Sequence, residues 1–281
     1  MTDAQRMNDE QSTLWNGSAG RAWVESQDLL DRMFQPFEEL LAESAKACTD
    51  GRILDVGCGA GGTTLAMARV QGVQGRCLGV DISEPLIAAA RARQGQGTAT
   101  VEFLCADAQI CEFDPASFDR ITSRFGVMFF QDPVSAFTNL RRAARTGAAL
   151  QCIAWRGPED NPFMIAAEGA AVSLLPDLPT RVAGAPGQFA FADREHVRRI
   201  LIESAWADID IHPIDVRCAF PESQLIPYLT RLGPLGRVLA ELDVRTREQL
   251  ITTARAAFEP YVQADTVRFN AACWMIEARS R

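Results

Sequence analysis

The sequence predicts an α/β fold built on a doubly wound parallel sheet, and three observations carry that prediction. Short apolar runs alternate with helical stretches from Gly51 to Trp155, the rhythm of strand–helix–strand units with helices on both faces of a sheet. The first run ends in a turn of small residues, Gly57-Cys58-Gly59-Ala60-Gly61-Gly62, that leads into Thr63-Thr64-Leu65-Ala66-Met67. The chain has 281 residues with 47% apolar content, enough for a large sheet domain with an ample core. In such sheets the crossovers are right-handed and ligands bind beyond the carboxyl ends of the strands.

Taken in order, residues 1–13 are polar and read as loose chain. From Leu14 to about Leu41 the pattern is helical, with Trp15, Trp23, Leu29, Leu30, Phe34 and Phe37 supplying bulky apolar surface. Strand one is Arg52–Val56, followed by a helix over about Thr63–Val70; strand two is Arg76–Val80. Ser83 then caps a helix that has Pro85 in its first turn and runs to Arg93. Strand three is Thr100–Cys105 and strand four Phe118–Ser123, trailed by the apolar run Phe125–Phe130. Asp132-Pro133 opens a helix with Val134, Phe137 and Leu140 on one face, and strand five is Ala148–Trp155. Prolines at 158, 162, 176, 179 and 186 then break the rhythm around one helix, Pro162–Leu175. A helix over Asp193–Ser204, a strand over Asp208–Ile214, a helical stretch over about Glu222–Pro260 and a last strand, Thr266–Ala278, complete the chain.

Composition excludes several functions. The formal net charge is −8 and no Lys/Arg-rich block occurs, which argues against nucleic acid or an anionic membrane surface as the main partner. The polar start predicts no signal peptide, and no run is long enough to span a membrane. Eight cysteines are scattered without a CxxC pair, which predicts a reduced, cytoplasmic protein with no Cys-based metal site. His196 and His212 read as exposed or structural histidines, so no general base stands out; Glu168 and Glu222 cannot be ranked from sequence.

Gly57, Gly59 and Gly62 satisfy G-x-G-x-x-G, and Asp81 ends strand two at the spacing found in dinucleotide sites. Glycine lets a ligand lie against the main chain, and the start of the following helix offers unpaired N–H groups to an anionic end. Two further carboxylates narrow the reading. Asp55 stands two residues before the first glycine, and Asp107 follows strand three. A dinucleotide has little use for them, whereas a ligand with an ammonium group, a ribose and an adenine has a use for all three acids.

These segments, Ile53–Gly61, Gly79-Val80-Asp81-Ile82-Ser83, Ala106-Asp107-Ala108 and Phe118-Asp119-Arg120-Ile121, resemble the ordered motifs of class I S-adenosylmethionine-dependent methyltransferases. Within that class the layout is similar to the small-molecule, quinone-methyltransferase-like (type 11) members. The resemblance implies a Rossmann-like seven-stranded sheet whose last strand is antiparallel, with helical lid insertions. It implies a single domain over 1–281: a lid at 14–45, a cofactor-binding core at 51–155, and substrate-side insertions at 157–192 and 218–262. Asp55 and the backbone at Gly57 and Gly59 would hold the methionine end of the cofactor, with Cys58 and Gly61 completing the turn. Asp81 would accept from the ribose hydroxyls with Ile82 against the adenine; Asp107 and Ala108 would meet the adenine edge, and Ser123 would line the methyl-donor channel. One departure is Thr146-Gly147-Ala148, where such enzymes often carry Pro-Gly-Gly.

Trp15-x3-Ala19-x3-Trp23 is similar to the entry helix of small-molecule methyltransferases, which lies over the cofactor, with Trp23 on the cofactor side and Trp15 towards the acceptor. Phe125 and Met128 are expected on the wall facing the transferred methyl. Arg124 either orients an anionic or carbonyl-bearing acceptor or pairs with a neighbouring acid. Phe163, Met164, Phe189, Phe191 and the stretch Leu225–Leu239 would close an apolar pocket, which suits a small apolar or aromatic metabolite as methyl acceptor. Two other readings stay open. A nicotinamide-dependent oxidoreductase is disfavoured by the extra acids and by the lack of a Tyr-x-x-x-Lys dyad, since Tyr228, Tyr261 and Lys46 are the chain's only tyrosines and lysine. A non-catalytic S-adenosylmethionine-binding module is disfavoured only mildly, by the intact motifs.

Overall fold

Strand β1 (Arg52–Val56) lies at the centre of a sheet that a computed structural model describes over residues 3–95, 100–172, 174–175 and 184–281. Its neighbours are β2 (Arg76–Asp81), then β3 (Thr100–Cys105), on one side, and β4 (Phe118–Arg124), then β5 (Ala144–Trp155), on the other, all parallel. Beyond β5 the order continues through β8 (Thr266–Ser280) to the edge strand β6 (Trp206–Pro221), with β8 antiparallel to both of its neighbours. The two-residue strand β7 (Val262–Gln263) pairs with the start of β8. The antiparallel last strand is therefore present, and among the described residues the sheet has one strand more than the seven expected.

The helices follow the predicted rhythm. Between strands lie α4 (Gly62–Val70), α5 (Glu84–Ala92), α6 (Pro133–Ala143) and α8 (Arg194–Glu203). Side-chain oxygens start three of them: Ser83 Oγ accepts from Leu86 N, Asp132 from Ser135 N, and Asp193 from Glu195 N. Successive strand residues point to opposite faces. Ile53 thus joins Met67, Ile87 and Phe103 in one cluster, and Leu54 joins Phe137, Leu140 and Leu201 in the other.

Several boundaries differ from the sequence reading. Residues 3–16 form a helix, α1 (Asp3–Asn16), where loose chain was expected. Its carboxyl end is tied down: Asn16 Nδ2 donates to Ile82 O (3.1 Å), Glu84 N donates to Asn16 Oδ1 (2.9 Å), and Ser83 Oγ donates to Trp15 O (2.7 Å). Two breaks, at Gly17 and Ser26, separate α1 from α2 (Ser18–Glu25) and α3 (Gln27–Ala45). Strand β6 runs seven residues past Ile214 because β8 pairs with it as far as Pro221↔Thr266. Helix α7 (Pro162–Ala171) stops short of Leu175, and Pro176 and Pro179 lie outside the described residues. The stretch from Glu222 is divided into α9 (Leu225–Arg231), α10 (Gly233–Val238) and α11 (Val244–Ala257), with Gly233 at φ +71° between the first two.

Candidate active site

The turn after β1 closes by spending its own amides. Gly57 N and Cys58 N both donate to Val80 O (2.8 and 3.1 Å), and Gly59 N donates to Asp81 Oδ2 (2.8 Å). The amides of Gly57, Cys58 and Gly59 thus hold the carboxyl end of β2. Asp81 Oδ1 accepts from Ser83 N (2.9 Å), so two backbone donors fix this carboxylate, while burial raises its pKa. Gly59 has φ +53°, and a Cβ built there meets no atom within 4 Å, so its Cα face is open.

A cavity of about 1230 Å³ begins at this turn. It brings together Gly57, Cys58, Gly59, Asp81, Ile82, Asp107, Ala108, Trp15, Trp23, Arg124, Phe125 and Met128. Asp107 Oδ1 accepts from Gln109 N (2.9 Å) at the far side of the β2–β3 edge. Trp15 meets Trp23 and Phe129 edge-on, with centroids 5.6 and 5.3 Å apart. The hydrogen bonds of Trp15 and Asn16 to Ile82, Ser83 and Glu84 put the end of α1 against the residues that follow Asp81.

Three expected site residues do not reach the cavity wall. Ser123 is fully buried within β4, where its Oγ donates to Val56 O (2.7 Å) and accepts from Gly126 N and Val127 N. It holds the turn after β4 and does not border this cavity. Gly61 is the left-handed start of α4 (φ +83°), where a Cβ would lie 2.8 Å from the Phe103 ring, so it faces the core. Asp55 is 1% exposed beneath the turn; its Oδ2 accepts from Thr64 Oγ1 (2.6 Å) and its Oδ1 has no hydrogen-bond partner. Burial pushes the Asp55 carboxyl up to about 7.

More acid surrounds the turn than the motifs announced. Asp31 and Glu38 on α3 reach over Gly62, where a Cβ would meet Asp31 Oδ1 at 3.1 Å. Asp31 pairs with Arg93, and Glu38, its pKa raised by burial, lies 3.5 Å from Arg124 Nη2. Arg124 Nε also donates to Thr63 Oγ1 (3.0 Å). Of the two roles read for Arg124, the pairing with an acid is thus present, although the residue still borders the cavity.

Away from the turn the walls become aromatic. Phe125 stacks on Trp155 (4.5 Å, 8° between planes) and packs against Phe34 (5.3 Å). Its φ of 65° is strained for a bulky residue. Phe163, Met164, Phe189, Tyr228, Leu229 and Phe258 complete this end, whereas Phe191 is buried against Phe137 in the core, 6.2 Å between centroids. Glu168, His196 and Arg199 also border the cavity. Glu222 instead pairs with Arg255, and His212 with Asp210 on the surface. Sequence reasoning did not single out Gln27, Asp31, Phe34 or Trp155, because their spacing is that of ordinary core and surface positions. For His196 and Arg199 a signal existed: they are three residues apart in a helix opened by Asp193, hence on one face.

Fold and site together define a class. Residues 53–147 match the methyltransferase domain family model (Methyltransf_25), about a third of the chain. Among curated relatives, it is 29% identical over 131 residues to aklanonic acid methyltransferase DauC of Streptomyces sp. strain C5, covering 45% of this chain and 60% of that protein. It is 30% identical over 118 residues to demethylmenaquinone methyltransferase of Bacillus subtilis strain 168, covering 42% of this chain and 48% of that protein. The chain thus spans about half the length of the curated relatives it matches. Among solved structures, the YcgJ protein of Bacillus subtilis has the same fold, with a TM-score of 0.55 at 19% identity over 87% of this chain and 97% of that one.

Proposed function

We propose that the chain transfers a methyl group from S-adenosylmethionine to a small, largely apolar or aromatic metabolite. The observation that carries the reading is a single cavity with two chemically different ends, acids and a glycine turn at one and stacked aromatic rings at the other. The residues fit the cofactor. Gly59 leaves an open cradle, Asp81 and Asp107 present fixed carboxylates to hydroxyl and amino donors, and Asp31 adds a third carboxylate to the cavity wall. That field, with the turn's amides already engaged, suits an ammonium or sulfonium and opposes a pyrophosphate. When bound, S-adenosylmethionine supplies an electrophilic methyl group for in-line displacement.

The chain's own contribution is placement and exclusion of water. Trp15 and Trp23 cover the cavity from the amino-terminal helices, and Phe125, Met128 and Trp155 wall the space between its two ends. Such placement is worth about 7–11 kcal/mol of barrier in well-oriented systems. A dry apolar wall favours a step in which positive charge disperses. The test is calorimetric titration with S-adenosylhomocysteine, with NADH as control, followed by an assay for methyl transfer to aromatic acceptors. Saturable binding of S-adenosylhomocysteine alone supports the reading; binding of NADH alone overturns it.

A further inference from the structure

The cavity is larger than the roughly 300–1,000 Å³ typical of a site for one small ligand, so it has room for the cofactor and a multi-ring acceptor. Its charges are unevenly satisfied. Asp31 pairs with Arg93, Asp81 takes two backbone donors, Asp193 takes the amides of Glu195 and His196, and Asp107 and Glu168 are partnered. The basic side chains on α8 are different. His196 and Arg199, one turn apart on α8, border the cavity and form no side-chain hydrogen bond or ion pair among the described residues.

Resting on the functional reading above, we propose that the methyl acceptor carries an oxyanion, such as a carboxylate or an ionised phenol, held at the α8 wall by Arg199 and His196. Phe163, Met164 and Phe258 line the same cavity, with Glu168 and Arg231 also at its border, so apolar surface is available to a ring system while His196 and Arg199 are available to its charge. Both side chains are reached from solvent; Arg199 is exposed and His196 half-buried. An anion there keeps part of its hydration while its rings are buried, which avoids the cost of stripping a charge completely. Arginine can grip a carboxylate through two parallel N–H bonds, a geometry that lysine lacks.

The test uses 2-naphthoate and its neutral isostere 2-naphthamide, titrated by fluorescence into the full chain saturated with S-adenosylhomocysteine. S-adenosylhomocysteine binding is measured first, so its absence counts against the methyltransferase reading and not against this one. The expected result is a preference of about tenfold or more for the carboxylate, as for a charged hydrogen bond partly screened by solvent. The preference should fall to about twofold or less in Arg199→Gln, be partly restored in Arg199→Lys, and drop in His196→Gln. Merely structural roles would weaken both probes equally. Equal affinity for the two probes, an unchanged preference in Arg199→Gln, or no saturable binding of 2-naphthoate to cofactor-loaded protein would overturn the proposal.

Discussion

Asp81 does two jobs at once, and a substitution there separates them from the rest of the site. Its carboxylate holds Gly59 N and Ser83 N and still borders the cavity. Asp81→Ala is therefore expected to weaken S-adenosylhomocysteine binding by about 1–3 kcal/mol, read by calorimetry on folded protein; unchanged affinity would remove the ribose role. Gly59→Val places a branched side chain in the open cradle and demands a left-handed φ of +53° from a β-branched residue. It should abolish binding, while retained far-UV circular dichroism shows that the sheet survives. Asp55 acts through the proton. Its folded pKa of about 7 exceeds the ordinary carboxylate value of 3.8, so the folded state keeps a proton that the unfolded chain releases. Stability is greatest below about pH 4 and declines as pH rises through about 7, by at most about 4 kcal/mol for this group. Asp55→Asn cannot ionise, so its melting temperature should fall less than the wild type's between pH 5 and 8; parallel curves would mean that Asp55 is ionised in the fold.

At the level of elements, the amino-terminal helices are positioned by close approach. Gly20 on α2 leaves no room for a side chain: a Cβ there would lie 1.9 Å from Trp15 O and 2.9 Å from Ser83 Oγ. The same hydroxyl donates to Trp15 O and caps α5, so one serine joins α1 to the helix beside Asp81. Gly20→Val should lift α2 off this junction. Cofactor affinity is then expected to drop about tenfold or more while the melting temperature moves by only a few degrees, measured by calorimetry and thermal denaturation; full affinity would show that the lid takes no part in binding. The opposite edge of the sheet shows a different constraint. Strand β6 exposes Asp208, Asp210, Pro213, Asp215 and Arg217, a pattern that discourages pairing with another chain.

Across the whole molecule, the segments after β5 and β6 meet over Phe163. Its ring stacks on Phe269 of β8 (3.8 Å, 3° between planes) and packs edge-on against Phe258 (5.0 Å) and Tyr261 (5.3 Å). Phe163→Ala would empty a fully buried site shared by α7, α11 and β8 and is expected to cost about 3–5 kcal/mol. The loss should appear in chemical denaturation and in weaker acceptor binding, with S-adenosylhomocysteine affinity nearly unchanged because the glycine turn lies at the other end of the cavity. An equal loss of both affinities would mean that the two ends are not separable.

Much of this architecture was legible in the amino-acid order. Strand β3 has its expected limits, Thr100–Cys105, and the caps Ser83, Asp132 and Asp193 open the helices assigned to them, because periodicity and capping are local chemistry. The glycine turn and the acids Asp81 and Asp107 were legible for the same reason: each lies at the end of a strand. What the order of residues alone did not decide depends on where separate strands and helices meet. Register places Asp55 beside Thr122, Thr122 beside Gln151 and Gln151 beside Glu277, a polar row across four strands. Packing turns Ser123 and Gly61 away from the cavity and brings Asp31, Phe34, His196 and Arg199 to it. Local pattern shows which face of an element is apolar, but only the assembled sheet and its covering helices decide which apolar faces close into core and which enclose a cavity.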